Sequence, residues 1–321
     1  MKRFRSTAAA FACIAVALSG CEDFGFPVGD NRDELIHTMN SVLLSPHRSC
    51  DELRKAFLLD HLPIVDLPSE AEMPFEENWV ALPGGKGLCT WFLPAREQRG
   101  VVLLAYGAVG SMSCYLFTSR LLVESGWSVM MYDYRGYGRS SGEASFETLV
   151  SDFDEMLTWT QEYTREPRIT LMGISVGTMP VIAVASRRPQ DVNGVILDSP
   201  INLGASVRRF DFMIRSNARK VTALIDRDLI SHRLIGELCA PSLFFLHEDD
   251  GLAPPALTTA LFNAAGGSKQ LARLPGLGHA RGVFFETELY HAYVEAFLTG
   301  IWEPGREPQF AADPPAIPQV R

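Results

Sequence analysis

The sequence predicts an α/β protein: an open, mostly parallel sheet with helices on both faces. Three observations carry that expectation. From residue 101 onward, short apolar runs alternate with stretches of helical length, the rhythm of parallel strands joined by crossover helices. The run at 101–106 is continuously apolar, as a strand covered on both faces must be. The third observation is Gly173-Ile174-Ser175-Val176-Gly177, set between a strand-like run at 168–172 and a helix-like run at 178–187.

The elements follow in order. Two short helical stretches are expected near the N-terminus, at 34–44 and after Ser49. Pro63, Pro68 and Pro74 then interrupt the chain as a connector. Residues 79–82 and 88–93, split by Pro83-Gly84-Gly85-Lys86-Gly87, read as a β-hairpin. Further strands are expected at 101–106, 128–132, 168–172, 195–197, 242–246 and 270–274. Helices are expected at 115–125, 146–163, 178–187 and 284–298. The segment 201–240 breaks the alternation. It carries Arg208, Arg209, Arg215, Arg219 and Lys220, and reads either as a lid inserted between two strands or as plain helical packing with solvated arginines. The expected organisation is therefore a leader over 1–20, a tether and helical decoration over 21–78, the α/β domain over 79–300, and a Pro-rich tail over 301–321.

The leader has a basic start (Lys2, Arg3, Arg5) and an apolar run over 7–18 that is short for a bilayer span. Leu18-Ser19-Gly20-Cys21 resembles the end of a bacterial lipoprotein signal peptide. The resemblance implies cleavage before Cys21 and lipid attachment to its thiol. The mature chain would then be tethered to a membrane of the bacterial cell envelope, inner or outer being undetermined. An ordinary secretory signal with a chance cysteine is the simpler alternative. Loss of 1–20 removes three basic side chains and no acidic ones. The net charge then moves from -9 to -12, with 26 basic against 38 acidic residues. So acidic a surface repels phosphates and argues against a nucleic-acid partner.

Cys50, Cys89, Cys114 and Cys239 are scattered, without the clustering of a metal site. They allow three disulfide pairings or free thiols, and the sequence does not choose. No metal or cofactor is expected. The Gly-rich loop 107–111 lacks the Gly-Lys-Ser/Thr ending of a phosphate-binding loop.

Gly-x-Ser-x-Gly between strand and helix is the sequence form of a nucleophile elbow, in which a tight turn lifts the serine clear of the sheet. A serine hydroxyl needs a base, and the base needs an orienting acid. Of seven histidines, His37, His47 and His61 fall in the decoration, His232 in the insert and His291 in the last helix. His247 ends its strand and is expected to support the following turn. His279, in the loop Leu274-Pro275-Gly276-Leu277-Gly278-His279, is the expected base. Glu248, Asp249 and Asp250 offer carboxylates on the loop after a strand. Oxyanion donors are expected from the backbone N–H of Val176 and of Ala108.

Across about 79–298 the sequence resembles the α/β-hydrolase superfamily, in its serine esterase and peptidase-like branch. The residues that carry the resemblance are the elbow, the turn Asp133-Tyr134-Arg135-Gly136-Tyr137-Gly138-Arg139-Ser140, and the later Asp and His loops. It implies an α/β-hydrolase fold and a serine hydrolase acting on an ester-like bond. By the same resemblance Asp250-Gly251-Leu252-Ala253-Pro254 matches the family's acid loop, so Asp250 is the expected acid and Asp249 the runner-up. Three departures stand out. Tyr106-Gly107 replaces a common His-Gly, Thr178 replaces a third elbow glycine, and one residue fewer separates His247 from Asp250. The competing expectation is an inert binding or scaffold module on the same fold. Oligomeric state and the identity of the small-molecule or acyl substrate are open.

Overall fold

Among the described residues eight strands form one sheet in the order β1-β2-β4-β3-β5-β6-β7-β8. They are β1 (Glu76–Leu82), β2 (Lys86–Leu93), β3 (Gly100–Ala105), β4 (Trp127–Tyr132), β5 (Ile169–Ile174), β6 (Val192–Asp198), β7 (Ser242–His247) and β8 (Lys269–Leu274). This computed structural model describes residues 49–56, 65–204 and 231–302, with residues 40, 44, 46 and 229. The expected leader, Cys21, most of the helix at 34–44, most of the insert 201–240 and the tail beyond 302 lie outside the described residues.

β1 pairs antiparallel with β2, and β2 antiparallel with β4; every later pairing is parallel. From β3 the chain winds outward to β4, then returns across β3 to β5. That reversal makes the carboxyl ends of β3 and β5 the topological switch point of the sheet, the place where open α/β sheets bind ligands. β3 and β5 are apolar and fully buried because helices cover both faces. Each large side chain so removed from water contributes about 1.5–3 kcal/mol.

Helices of the α/β body are α2 (Leu116–Glu124), α3 (Phe146–Thr164), α4 (Thr178–Arg187), α5 (Ser231–Leu234), α6 (Pro255–Ala264), α7 (Gly282–Phe285) and α8 (Thr287–Trp302); α1 (Cys50–Ala56) precedes them. The sequence of α3 explains its bounds. Ser145 caps it by accepting from the Glu147 N–H at 3.1 Å. Leu149, Val150, Phe153, Met156, Leu157 and Thr160 recur at helical spacing and are buried. Arg165, at φ +60°, ends it in the left-handed region.

Three details differ from expectation. The hairpin begins at Glu76 rather than 79, because Glu76 and Glu77 already pair with Phe92 and Trp91. The last helix is broken at Glu286, whose φ of −127° and ψ of 46° are not helical, so α7 and α8 are separate. Cys50 is bonded to Cys114, which ties α1 to the 3-10 turn Met112–Tyr115 that leads into α2, while Cys89 is a buried and Cys239 an exposed thiol. Among the described residues no helix is long and apolar enough to cross a membrane. Nor does any cluster of His, Cys, Asp and Glu there suit a metal ion.

Candidate active site

Ser175 directly follows β5, and a 3-10 turn (Ser175–Gly177) leads from it into α4. Its φ is +53°, a left-handed conformation that costs a residue with a side chain roughly 1–2 kcal/mol. The flanking glycines make the turn possible. A Cβ on Gly173 would stand 2.7 Å from the Gly177 carbonyl oxygen, and one on Gly177 only 2.2 Å from that of Ala105. Thr178, in place of a third glycine, adds its own tie. Its hydroxyl donates to the Ser175 carbonyl at 2.5 Å and accepts from the Ile201 N–H at 3.1 Å.

The loop after β8 brings His279 over this turn. His279 Nε2 lies 2.8 Å from Ser175 Oγ, and Nδ1 lies 2.9 and 3.1 Å from the Asp250 carboxylate oxygens. Asp250 is buried, and its Oδ1 also accepts from the N–H groups of Leu252 and Ala253, each at 2.8 Å. Asp249 is exposed and takes no part. Burial disfavours both charges, but each group outweighs it for the other. The His279 pKa is raised above the ordinary histidine value by Asp250, and the Asp250 pKa is lowered by His279 and by the hydrogen bonds it accepts. The relay therefore has a carboxylate on one side of the imidazole and a hydroxyl on the other.

Val176, which follows Ser175, sits in the first turn before α4, where an N–H has no intrahelical acceptor. Ala108 sits on the loop after β3. That loop passes close to Ser175: a Cβ on Gly107 would lie 3.6 Å from Ser175 Cβ. Cys21 lies outside the described residues.

Sequence reasoning missed Ser199. It follows β6 at φ +50°, and its hydroxyl accepts from the Ala280 N–H at 2.9 Å. His247, expected to support its turn, lies just beneath. Its Nε2 accepts from the Gly282 N–H at 2.9 Å, so its proton is on Nδ1, which donates to Ser199 Oγ at 3.0 Å. With two donors already on that oxygen, the Ser199 proton is left for Asp250, whose carboxylate it stabilises. Burial lowers the pKa of His247, which stays neutral in this role. Asp198, also buried, accepts from the Tyr290 hydroxyl at 2.9 Å, and burial raises its pKa. The only sequence signal for this layer was the polar pair Asp198-Ser199 closing an apolar strand.

Comparison with known proteins bears on the fold. A family model described as serine aminopeptidase, S33, matches residues 96–227. An uncharacterised protein of Mycobacterium tuberculosis (strain H37Rv) is 27% identical over 224 residues, covering 68% of this chain and 78% of the relative. An α/β hydrolase domain-containing protein of Caenorhabditis elegans is 26% identical over 212 residues, covering 64% and 59%. An esterase of Pyrococcus furiosus superposes with a TM-score of 0.63 at 16% identity, over 80% of this chain and 97% of its own. The chain has the α/β-hydrolase fold. Within that fold its elbow, acid loop and histidine loop occupy the ends of β5, β7 and β8, all at the carboxyl edge of the parallel strands. The departures at 106 and 178 leave this arrangement intact. The shorter spacing from His247 to Asp250 is closed by a turn in which the Asp250 N–H bonds the His247 carbonyl at 3.2 Å.

Proposed function

We propose that this protein is a serine hydrolase that cleaves an ester-like bond through an acyl-enzyme. The single observation that supports the reading most is His279 bridging Ser175 and Asp250 with both ring nitrogens at hydrogen-bond distance. In this reading His279 Nε2 takes the Ser175 proton as Oγ attacks the carbonyl carbon. The carbonyl oxygen becomes an anion facing the Val176 and Ala108 N–H groups. Asp250 holds the imidazole and stabilises the imidazolium. The same proton then passes to the departing alcohol, thiol or amine, leaving the acyl group on Ser175. Water, deprotonated by His279, reverses the sequence and frees the acid.

Esters and thioesters come first as substrates because their leaving groups depart more easily than an amine. The esterase among the structural neighbours and the peptidase name of the family model support a carbonyl substrate of this range. No cofactor takes part in this chemistry. The site is built around one linked relay, and no observation favours an inert module.

The same reading places the enzyme in the bacterial cell envelope, lipid-anchored through Cys21. Its support is the leader sequence together with the Cys50–Cys114 disulfide, since disulfides persist in oxidising compartments. Turnover of p-nitrophenyl esters of graded acyl length by the purified chain tests the hydrolase reading. Metabolic labelling with an alkynyl fatty acid, lost in Cys21→Ala, tests the anchor. No turnover across the ester panel, thioesters and aminoacyl amides would sink the first; labelling unaffected by the substitution would sink the second.

A further inference from the structure

The loop after β3 carries three phenol contacts that the relay does not use. The Tyr134 hydroxyl donates to the Tyr106 carbonyl at 2.7 Å, the Tyr137 hydroxyl to the Ala108 carbonyl at 2.9 Å, and the Tyr115 hydroxyl to the Val109 carbonyl at 3.3 Å. The phenols come from two separate elements. Tyr134 and Tyr137 belong to the turn after β4, and Tyr115 ends the 3-10 turn Met112–Tyr115.

A peptide group is a rigid plane, so holding its carbonyl holds the whole unit. The planes that begin at Tyr106 and Ala108 are pinned on either side of the Gly107–Ala108 plane, which bears the Ala108 N–H. Glycine offers little torsional resistance to turning that middle plane over. Gly107 is nevertheless required, because a Cβ there would meet the Tyr115 hydroxyl at 2.8 Å. The chain needs its least restrained residue where the donor must be held most firmly, and the flanking phenols supply the restraint.

The supporting residues form one cluster. Tyr106 stacks on Tyr134 and Tyr115 with ring centroids 4.4 and 4.9 Å apart. The Tyr106 hydroxyl donates to Asp133 at 3.1 Å and accepts from the Tyr134 N–H at 3.3 Å. Asp133 further accepts from the Met112 N–H at 2.8 Å and the Arg139 N–H at 3.0 Å, fastening both phenol-bearing turns to each other. Burial raises the pKa of Tyr115 and Tyr134 well above the ordinary tyrosine value, so both remain donors at any working pH.

We infer that Tyr134, Tyr137 and Tyr115 are positioning residues that fix the Ala108 N–H as an oxyanion donor. The inference rests on the proposed hydrolase reading and deepens it. The neighbouring Tyr132 provides the control. It is fully buried, its ring packs against Tyr134 at 5.3 Å, and its hydroxyl meets no hydrogen-bond partner among the described residues.

The test compares Tyr134→Phe, Tyr137→Phe and Tyr132→Phe in the purified full chain, with p-nitrophenyl butyrate as substrate. Loss of an oxyanion donor costs about 10²–10³ in kcat, and a loosened one should cost about tenfold. Tyr134→Phe and Tyr137→Phe should therefore each lower kcat about tenfold, with KM within about twofold. The inhibition constant of a trifluoromethyl ketone, which forms an oxyanion on the serine, should rise by the same factor. Tyr132→Phe should change neither. Hydrogen exchange across 106–111, which needs no turnover, should accelerate in Tyr137→Phe and not in Tyr132→Phe.

A kcat within twofold of wild type in both clamp variants overturns the inference, and so does unchanged exchange. A fall in kcat matched by an equal rise in KM, or shared by Tyr132→Phe, also overturns it, because that pattern reports general loosening of the cluster. An inactive wild type would defeat the hydrolase reading alone, and exchange would still decide whether the phenols hold the loop.

Discussion

Replacing Asp250 by Asn separates the charge of the acid from its shape. The amide keeps an oxygen where Oδ1 accepts from the Leu252 and Ala253 N–H groups, so the turn after β7 should persist. At the other position it offers an NH₂ to His279 Nδ1, where a carboxylate now accepts. An imidazole facing a donor at Nδ1 places its own proton on Nε2, pointing at Ser175 Oγ. That tautomer has no lone pair for the serine proton. The imidazolium also loses the anion that raises its pKa. Together these should lower kcat/KM by about 10⁴, or about 5.4 kcal/mol in the barrier. The assay is kcat/KM for p-nitrophenyl butyrate, beside a thermal melt to confirm the fold. Asp249→Asn, at an exposed carboxylate, should stay within twofold of wild type. Activity of Asp250→Asn within tenfold of wild type would refute the reasoning, and a large loss in Asp249→Asn would reassign the acid.

Three other outcomes are expected. His279 must be neutral to act as base, and Asp250 raises its pKa, so kcat/KM should fall as pH drops through a midpoint above the ordinary histidine value; a midpoint at or below that value would contradict this. Reducing the Cys50–Cys114 disulfide, whose partners are 64 residues apart, should lower unfolding free energy by about 4 kcal/mol. Urea melts with and without reductant would show it, and coincident curves would refute it. Gly177→Ala should destabilise by roughly 3 kcal/mol through overpacking, because its Cβ would press on the backbone of Ala105 in β3 and of Tyr106 just after it; an unchanged melting temperature would count against the elbow packing described.

The fold was legible because a sheet buried on both faces writes itself as continuous apolar runs, and β3, β5 and β7 are all of that kind. β8 was as easy to place although its outer residues are only partly buried, since Leu274 and the glycine loop mark its end. Ser175 and His279 stood out because glycines surround both, a local requirement of turns that present a side chain at a strand end. The choice of Asp250 over Asp249 needed resemblance, because two adjacent carboxylates differ only in which way the turn points them. Ser199 left only the polar pair it forms with Asp198 at the end of an apolar strand, and the Tyr134–Tyr137–Tyr115 clamp left no spacing signal. Their partners, Val109 of Tyr115 apart, lie at or just beyond the ends of other strands, so those contacts follow from how the sheet closes and not from spacing along the chain. The pairing of Cys50 with Cys114 was hidden for the same reason.

Reaction of the purified chain with a fluorophosphonate probe, followed by peptide mass analysis, tests the central claim most directly. The account predicts a single modification on Ser175 that vanishes in Ser175→Ala and slows sharply in His279→Ala, whose substitution removes the imidazole 2.8 Å from the attacking oxygen. Labelling that persists in Ser175→Ala, or an unlabelled but folded wild type, would contradict it.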